Sequence, residues 1–338
     1  MNSKISSVIA FSLAIVSGCS VISSEVATPA EVISPVPTTT SSETPSAGEI
    51  FELTVSVRDE NFHSYVYSIN VGCLDSTPCI VGSRLLFDMA YPVTEMSWSP
   101  DGQSLAFEGR GDGGTDIFVT LDEGETIENI TKTQEPDEGS PNWSPDGTRI
   151  AYAVLSSMED TKIMVSSPDG TETEQILQDV FEPIEFAWSN QEWRAYSAFV
   201  STRDSRYQIR VLNSDSSLYW LTPLDESKML FSAANAAFSP DSTLLIYTGG
   251  WLNNTRIYLA DLRTKTTQEL FSTEKTCSEF KPSWSPDGKW LAFISNCDSE
   301  DKQQYSLYLT SLIQKQKIKP DIEINGYIQD VVWRPTNK

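Results

Sequence analysis

One histidine, His63, occurs in 338 residues, and that scarcity removes two large classes of chemistry. Metal sites built from clustered imidazoles and Ser-His-Asp hydrolytic machinery both need histidine in company. His63 reads as a loop or surface residue. A G-x-S-x-G elbow is also lacking, and no stretch is left over to fold as a separate hydrolase domain. Basic residues are few: 24 Lys+Arg stand against 47 Asp+Glu, a formal charge of −23. A chain this acidic makes a poor partner for nucleic acid and is repelled by anionic headgroups, while its surface stays well solvated.

What is present starts at the N-terminus. Lys4 and the apolar run 5–16 make residues 1–18 a targeting segment, with a core too short to span a bilayer as a finished helix. It ends in Val16-Ser17-Gly18-Cys19. Small residues directly before a cysteine look like a bacterial lipoprotein signal, with Cys19 as the lipidated first residue; the alternative is an ordinary cleaved signal and an incidental cysteine. Lipid on Cys19 would hold the protein to a membrane without a transmembrane helix. Ser20 rather than Asp follows, which by resemblance to diderm sorting directs the chain to the outer membrane. Residues 19–49, rich in Ser, Thr, Pro and Glu, are expected to be a disordered tether, reaching at most ~100 Å extended and averaging ~30 Å as a coil.

Four cysteines remain, and an exported chain permits two disulfides. Cys73 and Cys79 bracket a short loop. Cys277 and Cys297 lie symmetrically about Asp287, so folding a hairpin there sets them opposite each other. A four-thiolate metal site is disfavoured because no C-x-x-C spacing occurs.

Residues 50–338 are strand and turn, organised by a repeat. In Trp284-Ser285-Pro286-Asp287-Gly288, proline presets the first turn position, aspartate bonds backbone just beyond, and glycine takes the positive φ. An apolar strand ending in Phe293 follows. Trp98-Ser99-Pro100-Asp101-Gly102 leads likewise to Phe107, Trp143-Ser144-Pro145-Asp146-Gly147 to Tyr152, and Phe238-Ser239-Pro240-Asp241 to Tyr247. Trp188-Ser189 and Trp333-Arg334-Pro335 are degenerate copies, and the strand after Trp188 is expected to begin late. The anchors 98, 143, 188, 238, 284 and 333 recur every 45–50 residues, a propeller period. Three strands precede the first anchor and one inner strand ends the chain. The C-terminal strand is therefore expected to pair with 51–57, closing the ring and removing two sheet edges.

These W-S-P-D-G-x-x-[LI]-A-[FY] copies resemble the WD40-like propeller repeats of TolB-type proteins across residues 50–338. The resemblance implies an all-β fold, a six-bladed β-propeller of four-stranded antiparallel blades, but no single function. TolB-type proteins also carry an N-terminal α/β domain, and 20–49 is too short and too polar to be one.

Asp101, Asp146, Asp241 and Asp287 look like a ligand set, but each is explained by its own turn. The sharper candidates stand three residues before each anchor: Glu95, Ser140, Glu185, Asn235, Lys281 and Asp330. All six are polar within mostly apolar or small inner strands, which line a propeller's channel. They are expected at its mouth, towards the loops between outer and inner strands. Three carboxylates there suit a hydrated calcium or magnesium ion or a partner's cationic side chain; the plainer reading is a wet channel mouth. No other cofactor is expected. On the loop-rich face, Arg110, Asp112, Trp251 and Asn253 are candidate contacts for an envelope protein, peptide or glycan. The Arg110-Gly111-Asp112 tripeptide itself reads as hairpin chemistry. The leading expectation is a monomeric, non-enzymatic binding scaffold on the outside of a bacterial membrane. The alternatives are a carbohydrate-active enzyme with Glu95 and Glu185 as acid and base, and a solute-binding or sensory accessory.

Overall fold

The computed structural model describes residues 33–35, 49–72, 77–121, 124–155, 161–176, 183–189, 194–201, 206–212, 218–220, 232–251, 254–271, 276–300 and 304–336. They are strands joined by turns, and among them no helix is long and apolar enough to cross a membrane. Six antiparallel sheets each contain one anchor, by which we name them.

The Trp98 sheet runs Thr94–Trp98, Leu105–Arg110, Thr115–Leu121, Thr126–Asn129, and the Trp143 sheet Asp137–Trp143, Ile150–Leu155, Thr161–Ser166, Thr173–Gln175. Pro183–Trp188, Arg194–Ser201, Arg206–Leu212 and Leu218–Trp220 form the Trp188 sheet; Ser232–Phe238, Leu244–Trp251, Asn254–Asp261 and Thr266–Glu269 form the Phe238 sheet. The Trp333 sheet joins both ends of the chain: Tyr327–Trp333 lies antiparallel to Phe51–Arg58, followed by Ser64–Gly72 and Cys79–Met89.

The Trp284 sheet corrects the expectation of six four-stranded blades. It has three strands, Glu279–Trp284, Trp290–Ser295 and Ser306–Ser311. The segment that follows makes a single bridge, with Ile318 and Leu309 exchanging amide and carbonyl at 2.8 Å each. Two neighbours explain why pairing stops there. Lys317 is drawn aside to a buried ion pair with Glu279, and Pro320 has no amide to offer a ladder. A second departure lies in the expected tether, where Ile33–Pro35 forms a strand antiparallel to Ile322–Ile324. Proline is tolerated in such an edge strand. The rest of 19–48 lies outside the described residues. The Trp188 unit also departs: its second strand does not begin late, and Trp188 faces Arg194, one position earlier in register than Trp98/Leu105 or Trp284/Leu291.

The apolar faces meet between sheets. Six core clusters each bridge one consecutive pair, in cyclic order from Trp333/Trp98 round to Trp284/Trp333. The repeated second aromatics lie in these seams, with Phe107 and Phe293 fully buried and Tyr247 nearly so. Arg334 fastens the junction of the chain ends. Its guanidinium pairs with Glu52 at 2.8 Å, donates to the Gly102 carbonyl at 2.7 Å and stacks over Trp98 at 4.8 Å.

Candidate functional site

The six polar positions converge. Glu95, Ser140, Glu185, Asn235, Lys281 and Asp330, one from each sheet, all line a single cavity of about 260 Å³. Its lining continues from these residues through the anchors Trp98 and Trp333 to Pro335. The cavity therefore occupies the stretch between the six positions and the turn-bearing ends, and the six close the end nearer the opposite loops.

A backbone device aims them. In four sheets the polar residue and its successor face one residue of the second strand, a β-bulge: Glu95-Met96 face Phe107, Ser140-Pro141 face Tyr152, Asn235-Ala236 face Tyr247, and Lys281-Pro282 face Phe293. The partner is in each case the second aromatic of the repeat. Glu95, Ser140, Asn235 and Lys281 stand at φ of 50°, 54°, 53° and 53°. This left-handed region is strained for residues bearing a Cβ and is held where packing enforces it. In the two degenerate sheets the extra residue falls one position earlier, at Ile184 and Gln329, and Glu185 and Asp330 keep ordinary pairing.

A bulge removes ladder partners, so its amides need other acceptors. The preceding sheet supplies them. Met96 N–H donates to Asp330 Oδ2 at 2.5 Å, and Asn235 donates through its backbone N–H to Glu185 Oε2 at 2.5 Å and through Nδ2 to Oε1 at 3.0 Å. The Ser140 amide is served by Glu108. Sequence reasoning missed Glu108, which follows the buried aromatic of its second strand. Thr248 occupies the matching place in the Phe238 sheet, bonding Asn235 Oδ1 at 2.8 Å, so aligning the second strands for polar residues would have exposed both.

Lys281 and Glu95 form an ion pair across the cavity, their side chains 14 % and 29 % exposed. Burial alone would lower the Lys281 pKa, but Glu95, Asp330 and Glu185 outweigh it and raise it. Burial, then the charge of Glu95, pushes Glu185 and Glu108 up to about 7 each, against the pull of Lys281. Burial likewise lifts Asp330 to about 6. One ammonium thus serves several carboxyls, and the site has acid to spare. Among the described residues no three His, Cys, Asp or Glu side chains are placed to hold a metal ion.

The turn aspartates are structural. Ser99, Ser144, Ser239 and Ser285 each donate Oγ–H to the aspartate two residues on at 2.6 Å, and that carboxylate accepts an amide two residues further. Ser167-Pro168-Asp169-Gly170 builds the same turn between outer strands. His63 sits in a loop with Nε2 2.7 Å from Asp88. Asp112 is exposed, and Arg110 ends its strand with its guanidinium 5.8 Å over Tyr91. Gly111 is required by packing, since a Cβ there would lie 1.7 Å from Asp116 Oδ2. Trp251 pairs with Asn254; its side chain, and all of Asn253, lie outside the described residues. Cys277 and Cys297 form a disulfide, with Cα atoms 4.8 Å apart. Cys79 is disulfide-bonded, while Cys73 and Cys19 lie outside the described residues.

No protein-family model matches the chain, and no curated protein is similar to it in sequence. Solved structures are similar in fold. TolB from Acinetobacter baumannii superposes with a TM-score of 0.64 at 15 % identity, over 85 % of this chain and 67 % of that one. A putative TolB from Agrobacterium tumefaciens gives 0.60 at 13 % identity, over 85 % and 98 %. Kuenenia stuttgartiensis hydrazine synthase gives 0.61 at 12 % identity, over 91 % and 48 %. At such identities the likeness speaks for architecture and not for activity. In architecture, the chain is a β-propeller similar to these TolB structures.

Proposed function

We propose that this chain is a non-enzymatic binding scaffold of the bacterial cell envelope, lipid-anchored through Cys19, which grips a cationic side chain of a protein or peptide partner. In this reading the propeller is a closed six-bladed disc, completed where Tyr327–Trp333 pairs with Phe51–Arg58. The observation that carries it is the convergence of one polar side chain from every sheet on one small cavity with carboxyl groups in surplus. The cavity admits a side chain or a few waters and is too small for a polymer. An acid/base role for Glu95 and Glu185 is disfavoured, since one is engaged by Lys281 and the other by both amide groups of Asn235. The Cys277–Cys297 disulfide supports an oxidising, extracytoplasmic setting.

The test is a thermal melt of the soluble chain with N-acetyl-arginine amide, calcium or magnesium, comparing wild type with Glu95→Gln. Stabilisation by the arginine derivative that Glu95→Gln weakens is expected, and its strength should grow from pH 5 to pH 8 as Glu185 and Asp330 ionise. An arginine derivative that leaves the wild-type midpoint unmoved at both pH values overturns the reading. Anchoring is checked separately by labelling cells with a fatty-acid analogue, which Cys19→Ser should abolish.

A further inference from the structure

On the side bearing the loops between second and third strands, the Trp284 and Trp333 sheets flank two cavities of about 770 and 500 Å³. They share Gln304, Tyr305, Asn325, Gly326 and Ile328 and so make one continuous cleft. Each lobe is of the size, about 300–1,000 Å³, that holds small organic ligands.

Three aromatic rings line the larger lobe. Phe280 and Tyr305 meet edge to face at 4.9 Å, and Tyr327 is 48 % exposed. Arg58 lays its guanidinium 4.8 Å from the Tyr327 ring centre and 4.5 Å from that of Phe62. Phe62 is 59 % exposed and stands at φ 67°, an uncommon conformation for a bulky side chain. Its turn is pinned by Asp59 Oδ1, which accepts the amides of Asn61 at 2.8 Å and His63 at 2.9 Å. The polar lining is planar: the amides of Gln304, Asn325 and Gln329 and the carboxylates of Asp59 and Glu60. Ring faces beside planar amides and carboxylates match a pyranose, which offers C–H groups on its faces and adjacent hydroxyls at its edge.

Charge narrows the class. Asp59, Glu60, Asp321 and Glu323 outnumber Arg58 and Lys319, and Arg58 is already engaged with two rings. On a chain of net charge −23 a polyanionic sugar is repelled. A peptide adding to the sheet edge is disfavoured too, because Leu309 is bridged to Ile318 and Ile322–Ile324 is covered by Ile33–Pro35. We propose that this cleft binds a neutral or amino-bearing oligosaccharide. The proposal is independent of the central cavity and stands whether or not that cavity binds anything.

Calorimetric titration of the soluble chain tests it with four probes: tetramers of N-acetylglucosamine, of glucosamine and of galacturonate, and a proline-rich peptide. Binding of one of the first two is expected, with Tyr327→Ala weakening it about tenfold, the worth of one ring contact. Tyr327→Phe should keep most of the affinity, and Gln329→Ala should lose part of it. Thermal melts report whether each variant is folded, and Gln329→Ala carries the test if Tyr327→Ala is not. No heat from either amino-sugar tetramer overturns the proposal. So does tighter binding of the galacturonate tetramer or the peptide, or undiminished affinity in the folded variants.

Discussion

Gly102, Gly147 and Gly288 close equivalent turns at φ of 66°, 70° and 71°, yet they do not meet equivalent surroundings. A Cβ on Gly102 would come within 2.7 Å of the Pro335 carbonyl, whereas on Gly288 its nearest neighbour is Pro240 Cδ at 3.6 Å. Gly288→Ala should therefore cost about 1 kcal/mol of left-handed strain alone. Gly102→Ala should cost clearly more, because backbone at the chain-end junction must move; urea unfolding of the two variants checks the order. The Phe238 turn supplies the converse, as Ser242 holds the glycine position at φ 57°. Ser242→Gly should raise stability by up to about 1 kcal/mol, less the added freedom of the unfolded chain. The turn carboxylates report their own bonds. Asp146 is held down to about 2, first by the Ser144 hydroxyl and then by the Thr148 amide. A depressed acid contributes stability above its unfolded pKa of 3.8, lost as pH falls through about 2.

At the scale of elements, the bulged inner strand does two jobs. It turns a polar side chain towards the axis and strips amides that the neighbouring sheet's carboxyls then satisfy. Among the described residues, Lys281 is the only lysine or arginine lining that cavity, so removing it leaves Glu95, Glu185 and Asp330 uncompensated. Lys281→Met should destabilise by about 2 kcal/mol at pH 8, below the limit for a fully buried pair because Glu95 keeps 29 % exposure. The loss should shrink at pH 5, where Glu185 and Asp330 take up protons, and a second change, Glu95→Gln, should restore part of it. Denaturant midpoints at both pH values decide this. The three-stranded Trp284 sheet depends on a different support. Its disulfide closes a loop over a sequence separation of 20, and Cys277→Ser/Cys297→Ser should cost about 3 kcal/mol.

For the whole molecule, two consequences follow from how the sheets are joined. The Trp333 sheet draws its inner strand from the C-terminus and the rest from the N-terminal part, so deleting 327–338 bares the edge of Phe51–Arg58 and removes Ile328, Val331 and Trp333 from a core seam. The truncated chain should lose its cooperative melt and aggregate, where loss of an ornamental tail would leave both intact. The acid balance sets the second. Burial lifts Glu108, Glu138 and Glu185 to about 7 from 4.5, and Asp330 to about 6 from 3.8. The folded chain thus holds protons that the unfolded chain has released, and stability falls as pH rises from about 4 to about 7. The turn aspartates act in the opposite sense below about 4. Calorimetry at fixed ionic strength should find the highest midpoint near pH 4–5, and a midpoint higher at pH 8 than at pH 5 would contradict the burial of these acids.

The sequence by itself determined the turns, the repeat, the Cys277–Cys297 pairing and the six inward positions. The turns and the pairing rest on contacts within one hairpin. The inward positions rest on a fixed count back from each anchor, which reaches Asp330 even though its strand pairs with Phe51–Arg58 and not within a hairpin. Serine reaches an aspartate two residues away, and an aromatic nine residues on meets the same strand pair; such signals survive in any fold that uses the hairpin. Only the tertiary structure decided the rest. The Glu95–Lys281 pair spans 186 residues, and which amide Asp330 or Glu185 accepts depends on the offset between neighbouring sheets. The absent fourth strand of the Trp284 sheet follows from Lys317 reaching a buried Glu279, and the aromatic cleft follows from two loops brought together by the joining of the ends. Those outcomes depend on distances between sheets, which no local run of residues encodes.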